Sequence, residues 1–252
     1  MDIDEMKSLG GKYGVFPETI QKDYAATVLL VVISEFPKIT EMVFKGGTAL
    51  KKIYYPETRF SEDLDFTCSI DVSEELEAML KEKIKELDVN FTEVKKMDTS
   101  EKSRKYSVKY LNYNNFAMSV KIDLSLREEV ITKVENKPIQ HFYNLGNNEF
   151  SIPSMSIEEI MAEKIRALTY AQKPRHLYDM WYLFQRGIKL DSSLVNSKLL
   201  FYKEEFSLDK IKKGIDKMKT DWNTDLNPLL PSVPSFDEIS KNVIQNIDNS
   251  MK

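Results

Sequence analysis

The sequence predicts an α+β (α/β) protein in which a mixed sheet and its helices occupy residues 1–150 and a helical domain occupies residues 151–252. Three observations carry this. Strand-length apolar runs alternate with helical periods through the first part of the chain. A glycine pair, Gly46-Gly47, separates a short apolar run from a helical one. From Ser156 onward the apolar spacing is helical without a break.

Pro17 opens a helix with Ile20, Tyr24 and Val28 on one stripe, and Pro37 stops it after Phe36. Met42-Val43-Phe44 reads as a strand, Gly46-Gly47 as a turn, and Thr48 to Tyr54 as a short helix. Leu64 and Phe66 mark a second strand. Ser73 is placed to cap a helix whose apolar face is Leu76, Met79, Leu80, Ile84 and Leu87. Val89 to Val94, Lys105 to Leu111 and Phe116 to Leu124 alternate as strands of a meander, with Asn112-Tyr113-Asn114-Asn115 turning between the last two. Ser156 and Glu159 are spaced as a capping box ahead of Ile160, Met161, Ile165 and Leu168. Pro174 ends that helix, another runs from about His176 to Gln185 with Gly187 as its C-cap, and lysine-rich helices occupy about 207–219 and 235–247.

Composition narrows the function. With 252 residues, 42% hydrophobic and 30% charged, the chain has the balance of a globular protein with a sizeable core. No apolar run approaches the ~20 residues of a bilayer span. The acidic opening, Met1 to Lys7, lacks the basic-then-apolar order of a secretory signal, so a cytoplasmic protein without a membrane partner is expected. Cys68 stands alone and His141 and His176 are the only histidines, which excludes an internal disulfide and a zinc set; any metal must sit on carboxylates. A net charge of −4 argues against a protein that coats nucleic acid but leaves room for a local basic face.

The chemistry is concentrated in Phe44-Lys45-Gly46-Gly47-Thr48 and in Arg59-Phe60-Ser61-Glu62-Asp63-Leu64-Asp65-Phe66. In a strand, residues two apart share a face, so Asp63 and Asp65 aim both carboxylates at one point while Leu64 and Phe66 turn to the core. Oxygen ligands at this spacing suit Mg²⁺, with Mn²⁺ as an alternative ion, because such ions complete their shells with water and substrate phosphate. A Gly-Gly-Thr turn at a helix start lets backbone N–H groups approach the triphosphate of an NTP, and the Thr48 hydroxyl adds a donor. Arg59 is placed to neutralise phosphate charge, and Ser61 belongs to the same candidate nucleotide-binding set. Asp123, in the strand Val120-Lys121-Ile122-Asp123-Leu124, is the candidate third metal ligand of a two-metal site. A lone Asp-x-Asp is usually a surface pair; here the glycine turn supports the metal reading. Thr67 and Cys68 rule out an EF-hand, and the absence of Gly-Lys-Ser/Thr after the glycines rules out a P-loop.

Lys164 lies on the apolar stripe of its helix, four residues from Ile160 and from Leu168, where a lysine either snorkels or points into a site. Asp179 either orients Lys164 or an attacking group, or forms an ion pair with Arg175 four residues earlier. Lysines 210, 212, 213, 217 and 219 read as a solvated helix face or as contacts to RNA phosphates.

In this order, Gln21-Lys22-Asp23-Tyr24, Phe44 to Leu50, Arg59 to Phe66, Lys121-Ile122-Asp123, Glu163-Lys164-Ile165-Arg166 and Arg175 to Trp181 resemble the AbiEii/AbiGii nucleotidyltransferase toxins of type IV toxin–antitoxin systems, a branch of the DNA-polymerase-β-like superfamily. The resemblance implies a polymerase-β-like nucleotidyltransferase core, a helical C-terminal domain that contributes to the active-site cleft, and use of NTP and Mg²⁺. It further implies a cognate antitoxin and, for several members, transfer to the 3′ end of tRNA. By that likeness Gly47 and Thr48 contact phosphate, Asp63 and Asp65 hold metal, and Lys164 and Asp179 are needed for activity; Gly46 and Lys164 complete the candidate nucleotide-binding set, and Asp123 the candidate metal set. Thr48 replaces the serine frequent in the wider superfamily and keeps the hydroxyl. An RNA-directed enzyme is the leading expectation; a transferase acting on a protein or small molecule, and a non-catalytic nucleic-acid or partner-binding module, are the alternatives.

Overall fold

Alternation of apolar and polar residues builds a seven-stranded mixed sheet with strand order β3-β4-β5-β2-β1-β7-β6. The strands are β1 (Met42–Lys45), β2 (Asp63–Cys68), β3 (Phe91–Lys96), β4 (Ser103–Leu111), β5 (Ala117–Ser125), β6 (Glu135–Pro138) and β7 (Ser151–Ser154). The chain, seen here in a computed structural model, is described at residues 1–97, 100–146 and 149–251. Its contacts separate two units, Met1–Met155 and Ser156–Lys252.

In the first unit β3, β4 and β5 form the expected antiparallel meander. β2 pairs parallel with β5 and antiparallel with β1, and β1 is parallel to β7. β6 and β7 were not expected from the sequence: each is four residues long and carries a proline, too short for an alternating pattern to register.

Leu64, Phe66, Ile122 and Leu124 point to one face of the sheet and are almost wholly buried. Against β2 and β5 packs α2 (Pro17–Ser34). It is buried on nearly every side rather than along one stripe, because α1 (Ile3–Tyr13) and α4 (Ser73–Lys83) also pack on it. In α4, Ser73 is the first helical residue rather than the cap; the Asp71 carboxylate accepts its backbone N–H at 3.1 Å.

Asp23 in α2 is almost wholly buried, which requires a partner. Lys52 supplies one at 2.5 Å, and the Tyr143 hydroxyl donates to the same carboxylate oxygen at 2.8 Å. Lys52 belongs to the helical stretch after the glycine turn, α3 (Gly46–Ala49) running into a π-helical turn, Leu50–Tyr54. On α2, Lys22 pairs with Glu62 at 3.0 Å and the Gln21 amide oxygen accepts the Tyr113 N–H at 3.2 Å. Gln21, Lys22 and Asp23 thus tie α2 to the glycine-turn helix, the start of β2 and the β4–β5 turn.

The second unit consists of α5 (Ile157–Tyr170), α6 (Pro174–Gln185), α7 (Ser192–Leu200), α8 (Leu208–Met218), α9 (Trp222–Leu226) and α10 (Phe236–Ser250). Ser156 caps α5 by accepting the Glu159 N–H at 3.2 Å, and the buried Glu159 carboxylate meets Lys198 of α7 at 2.5 Å. Pro174 opens α6 as its first residue, where its missing N–H costs nothing. α8 crosses α5 closely at Gly214, where any Cβ would overlap the Leu168 carbonyl oxygen. Lys210, Lys213, Lys217 and Lys219 are exposed on α8 and beyond its end, and Lys219 pairs with Asp237 at 2.8 Å.

Candidate active site

The sheet face opposite α2 carries the acids. Asp63 and Asp65 are half-buried and alternate with the fully buried Leu64 and Phe66, the arrangement expected for two carboxylates on one strand face. Across the parallel β2–β5 pair, Asp65 lies beside Asp123 and Asp63 beside Lys121, so all four side chains share that face. Asp123 is bound by Lys105 at 2.8 Å and by the Ser103 hydroxyl at 3.2 Å.

The glycine turn abuts these acids for a steric reason. β1 is antiparallel to β2 with Lys45 opposite Asp65, so the next residue, Gly46, meets the Asp65 side chain. Gly46 has φ +82°, and a Cβ there would come within 2.5 Å of Asp65 Oδ2. Only glycine fits without displacing the carboxylate. The Thr48 hydroxyl is buried; it lies 2.9 Å from the Ser61 hydroxyl and donates to the Asp63 carbonyl oxygen. Thr48 and Ser61 therefore clamp the turn to the start of β2. Arg59 is also buried and donates to the Phe60 carbonyl oxygen at 2.9 Å.

Two residues the sequence reading passed over belong to this region. Lys45 forms a buried ion pair with Glu128 at 2.5 Å, and Lys105 neutralises Asp123. Lys45 was in view beside the glycines, but its partner is 83 residues away, and no local spacing reports that. Lys105 could have been found only by pairing β4 with β5 in the correct register. Cys68, at the end of β2, is buried and its thiol is pushed up to about 12 by that burial, so it is no nucleophile.

In the second unit Lys164 is buried and its ammonium meets Asp179 at 2.6 Å, joining α5 to α6. Asp179 therefore pairs with Lys164, as one of its expected roles requires, and Arg175 bonds Asp225 at 3.1 Å.

The donor chemistry fits a hard divalent cation. Asp63 and Asp65 offer carboxylate oxygens on one face, and the missing side chain of Gly46 lets the Asp65 carboxylate sit against the turn. Among the described residues no three His, Cys, Asp or Glu side chains are grouped as a ready-made cage. Mg²⁺ does not need one, since it is held by one or two carboxylates together with water and substrate phosphates. No helix among the described residues is long and apolar enough to cross a membrane.

A glycine turn clamped to an acidic strand pair on a mixed sheet defines a class, the nucleotidyltransferases, enzymes that use an NTP and a divalent metal ion. The family model for "Nucleotidyl transferase AbiEii toxin, Type IV TA system" matches residues 28–242, and the chain belongs to that family. Among solved structures it is similar to JHP933 from Helicobacter pylori, with 21% identity, a TM-score of 0.62 and coverage of 94% of this chain and 93% of that one. It is also similar to MenT4, a nucleotidyltransferase toxin of Mycobacterium tuberculosis, with 18% identity, a TM-score of 0.63 and coverage of 91% and 82%. At these identities the likeness is one of fold. No curated protein matches the sequence.

Proposed function

We propose that the chain transfers a nucleoside monophosphate from an NTP to RNA, at the 3′ end of tRNA, with Mg²⁺ held by Asp63 and Asp65, and that it does so as a toxin restrained by a cognate antitoxin. The observation that carries the reading is the shared sheet face on which Asp63, Asp65 and Asp123 stand beside a glycine turn clamped by Thr48 and Ser61.

The acceptor hydroxyl attacks the α-phosphorus, the bond to the pyrophosphate oxygen breaks, and the hydroxyl proton is released as pyrophosphate departs. A divalent cation, when bound, offsets the charge of the reacting phosphates and of the leaving group. Asp63 and Asp65 hold that cation, and Asp123 completes the acidic face on the acceptor side. Backbone N–H groups of Gly46, Gly47 and Thr48 hold phosphate oxygens, while the Thr48 hydroxyl and Ser61 act by positioning the turn. Arg59, itself buried, contributes positive charge to the phosphate site. Lys164 and Asp179, necessary by the family likeness, work as one unit in which Asp179 fixes the ammonium.

The test incubates the purified chain with total RNA, Mg²⁺ and each NTP radiolabelled at the α-phosphate, alongside Asp63→Ala/Asp65→Ala. Label on an RNA of tRNA size with the wild type alone is expected, and it reads out base preference directly. Label on protein or on a small molecule, with RNA unlabelled, replaces the RNA reading. Label that survives in the double variant removes the assignment of the acids.

A further inference from the structure

Register places four charged residues in one row across the acidic face of the sheet: Lys45 on β1, Asp65 on β2, Asp123 on β5 and Lys105 on β4. The sign sequence is plus, minus, minus, plus, with two acids as nearest neighbours in the middle. The two lysines that close the row differ in kind. Lys45 is buried with Glu128, its side chain 11% exposed against 5% for its partner, so it is a fixed part of the fold. Lys105 and Asp123 form a 2.8 Å pair whose side chains are 48% and 33% exposed. Such a pair is worth little and is opened at little cost. The Ser103 hydroxyl bonds the other carboxylate oxygen of Asp123, so serine and lysine together occupy both of its oxygens.

The geometry points to Lys105 as a positioning residue that stands in for the cation at Asp123. The inference rests on the proposal that Asp63 and Asp65 hold metal, and extends the metal-holding face to their neighbour Asp123. With no cation present, two neighbouring carboxylates repel, and the Lys105 ammonium relieves that repulsion at the outer acid. A divalent ion must therefore compete with Lys105 for Asp123. Lys105 depresses the affinity of the nucleotide-free protein for the ion, which favours loading together with the triphosphate, whose own negative charge strengthens the ion's hold. Without Lys105 the acids would hold cations modestly more tightly in the absence of substrate.

The test titrates Mn²⁺ into the full, nucleotide-free chain and follows free Mn²⁺ by electron paramagnetic resonance at moderate salt. Lys105→Met is expected to bind Mn²⁺ about two- to five-fold more tightly than wild type, the range expected for a half-exposed ion pair. The gain should disappear when Lys105→Met is placed in an Asp123→Asn background. Lys121→Met removes an equal charge from the same face, opposite Asp63, and controls for general electrostatics. Any effect of Lys121→Met should be smaller and should persist in the Asp123→Asn background.

Equal affinity of Lys105→Met and wild type overturns the role of Lys105, as does a gain that survives Asp123→Asn or is matched by Lys121→Met. In those cases loss of binding in Asp63→Asn/Asp65→Asn leaves the metal assignment standing. No Mn²⁺ bound by the folded wild type removes the metal assignment and the role of Lys105 together.

Discussion

Replacing Gly46 by alanine tests the link between backbone geometry and the acidic site. The residue has φ +82°, and an added Cβ would stand 2.5 Å from Asp65 Oδ2 and 3.2 Å from its Cβ and Cγ. The left-handed backbone costs an alanine about 1–2 kcal/mol, and forcing the Asp65 side chain aside costs about 1–3 kcal/mol more. The expected loss of stability is about 2–5 kcal/mol, a fall in Tm of roughly 4–20 °C for a chain of this length. If Asp65 holds metal as proposed, displacing its carboxylate by about an ångström should also lower transfer by about 100-fold at a temperature where the variant is folded. Calorimetry measures the first effect and labelled-NTP transfer the second. In an Asp65→Ala background the overlap is gone, so Gly46→Ala should then cost only the backbone penalty. Equal costs in both backgrounds, or a variant with wild-type Tm and activity, would refute the packing argument.

Two further predictions concern buried lysines. Lys164→Met and Asp179→Asn each break this buried ion pair and should cost about 3–5 kcal/mol in chemical denaturation, whereas Lys164→Met/Asp179→Leu should recover most of that stability without recovering transfer. Single variants that cost under about 1 kcal/mol would show that the pair is not desolvated. Lys51 is pulled from 10.5 to about 8, chiefly by burial, although its ammonium donates to the Pro56 and Thr58 carbonyl oxygens. Between those two pH values the unfolded chain holds a proton that the folded protein has released, so stability from this group rises with pH across that window. Relative to Lys51→Met, the wild type should gain up to about 3 kcal/mol as pH rises through it, measured by urea unfolding at a series of pH values. A difference independent of pH would show that Lys51 titrates normally.

Legibility from sequence followed the range of the interaction. The alternation in Asp63-Leu64-Asp65-Phe66 sets which side chains share a face whatever the strand pairs with, so the paired carboxylates were readable. The glycines of Gly46-Gly47 were readable as a turn, although the helix begins at Gly46 itself rather than at Thr48. Ser73 was misplaced as a cap: it is the first helical residue, and its own N–H is taken by Asp71, two residues earlier. β6 and β7 were missed because short strands acquire their conformation from neighbours rather than from their own pattern.

The sequence by itself determined the helical second half, the meander, the acidic strand and the glycine turn, because each is written in residues a few positions apart. Tertiary structure alone decided that Asp65 stands between Lys45 and Asp123, that Lys105 closes the row, and that Glu128 holds Lys45. It also decided that the buried Asp23 is balanced by Lys52, and that Asp179 holds Lys164. Strand register and the pairing of buried charges depend on contacts between distant segments, and a charged residue's neighbours along the chain do not say which opposite charge will share its burial.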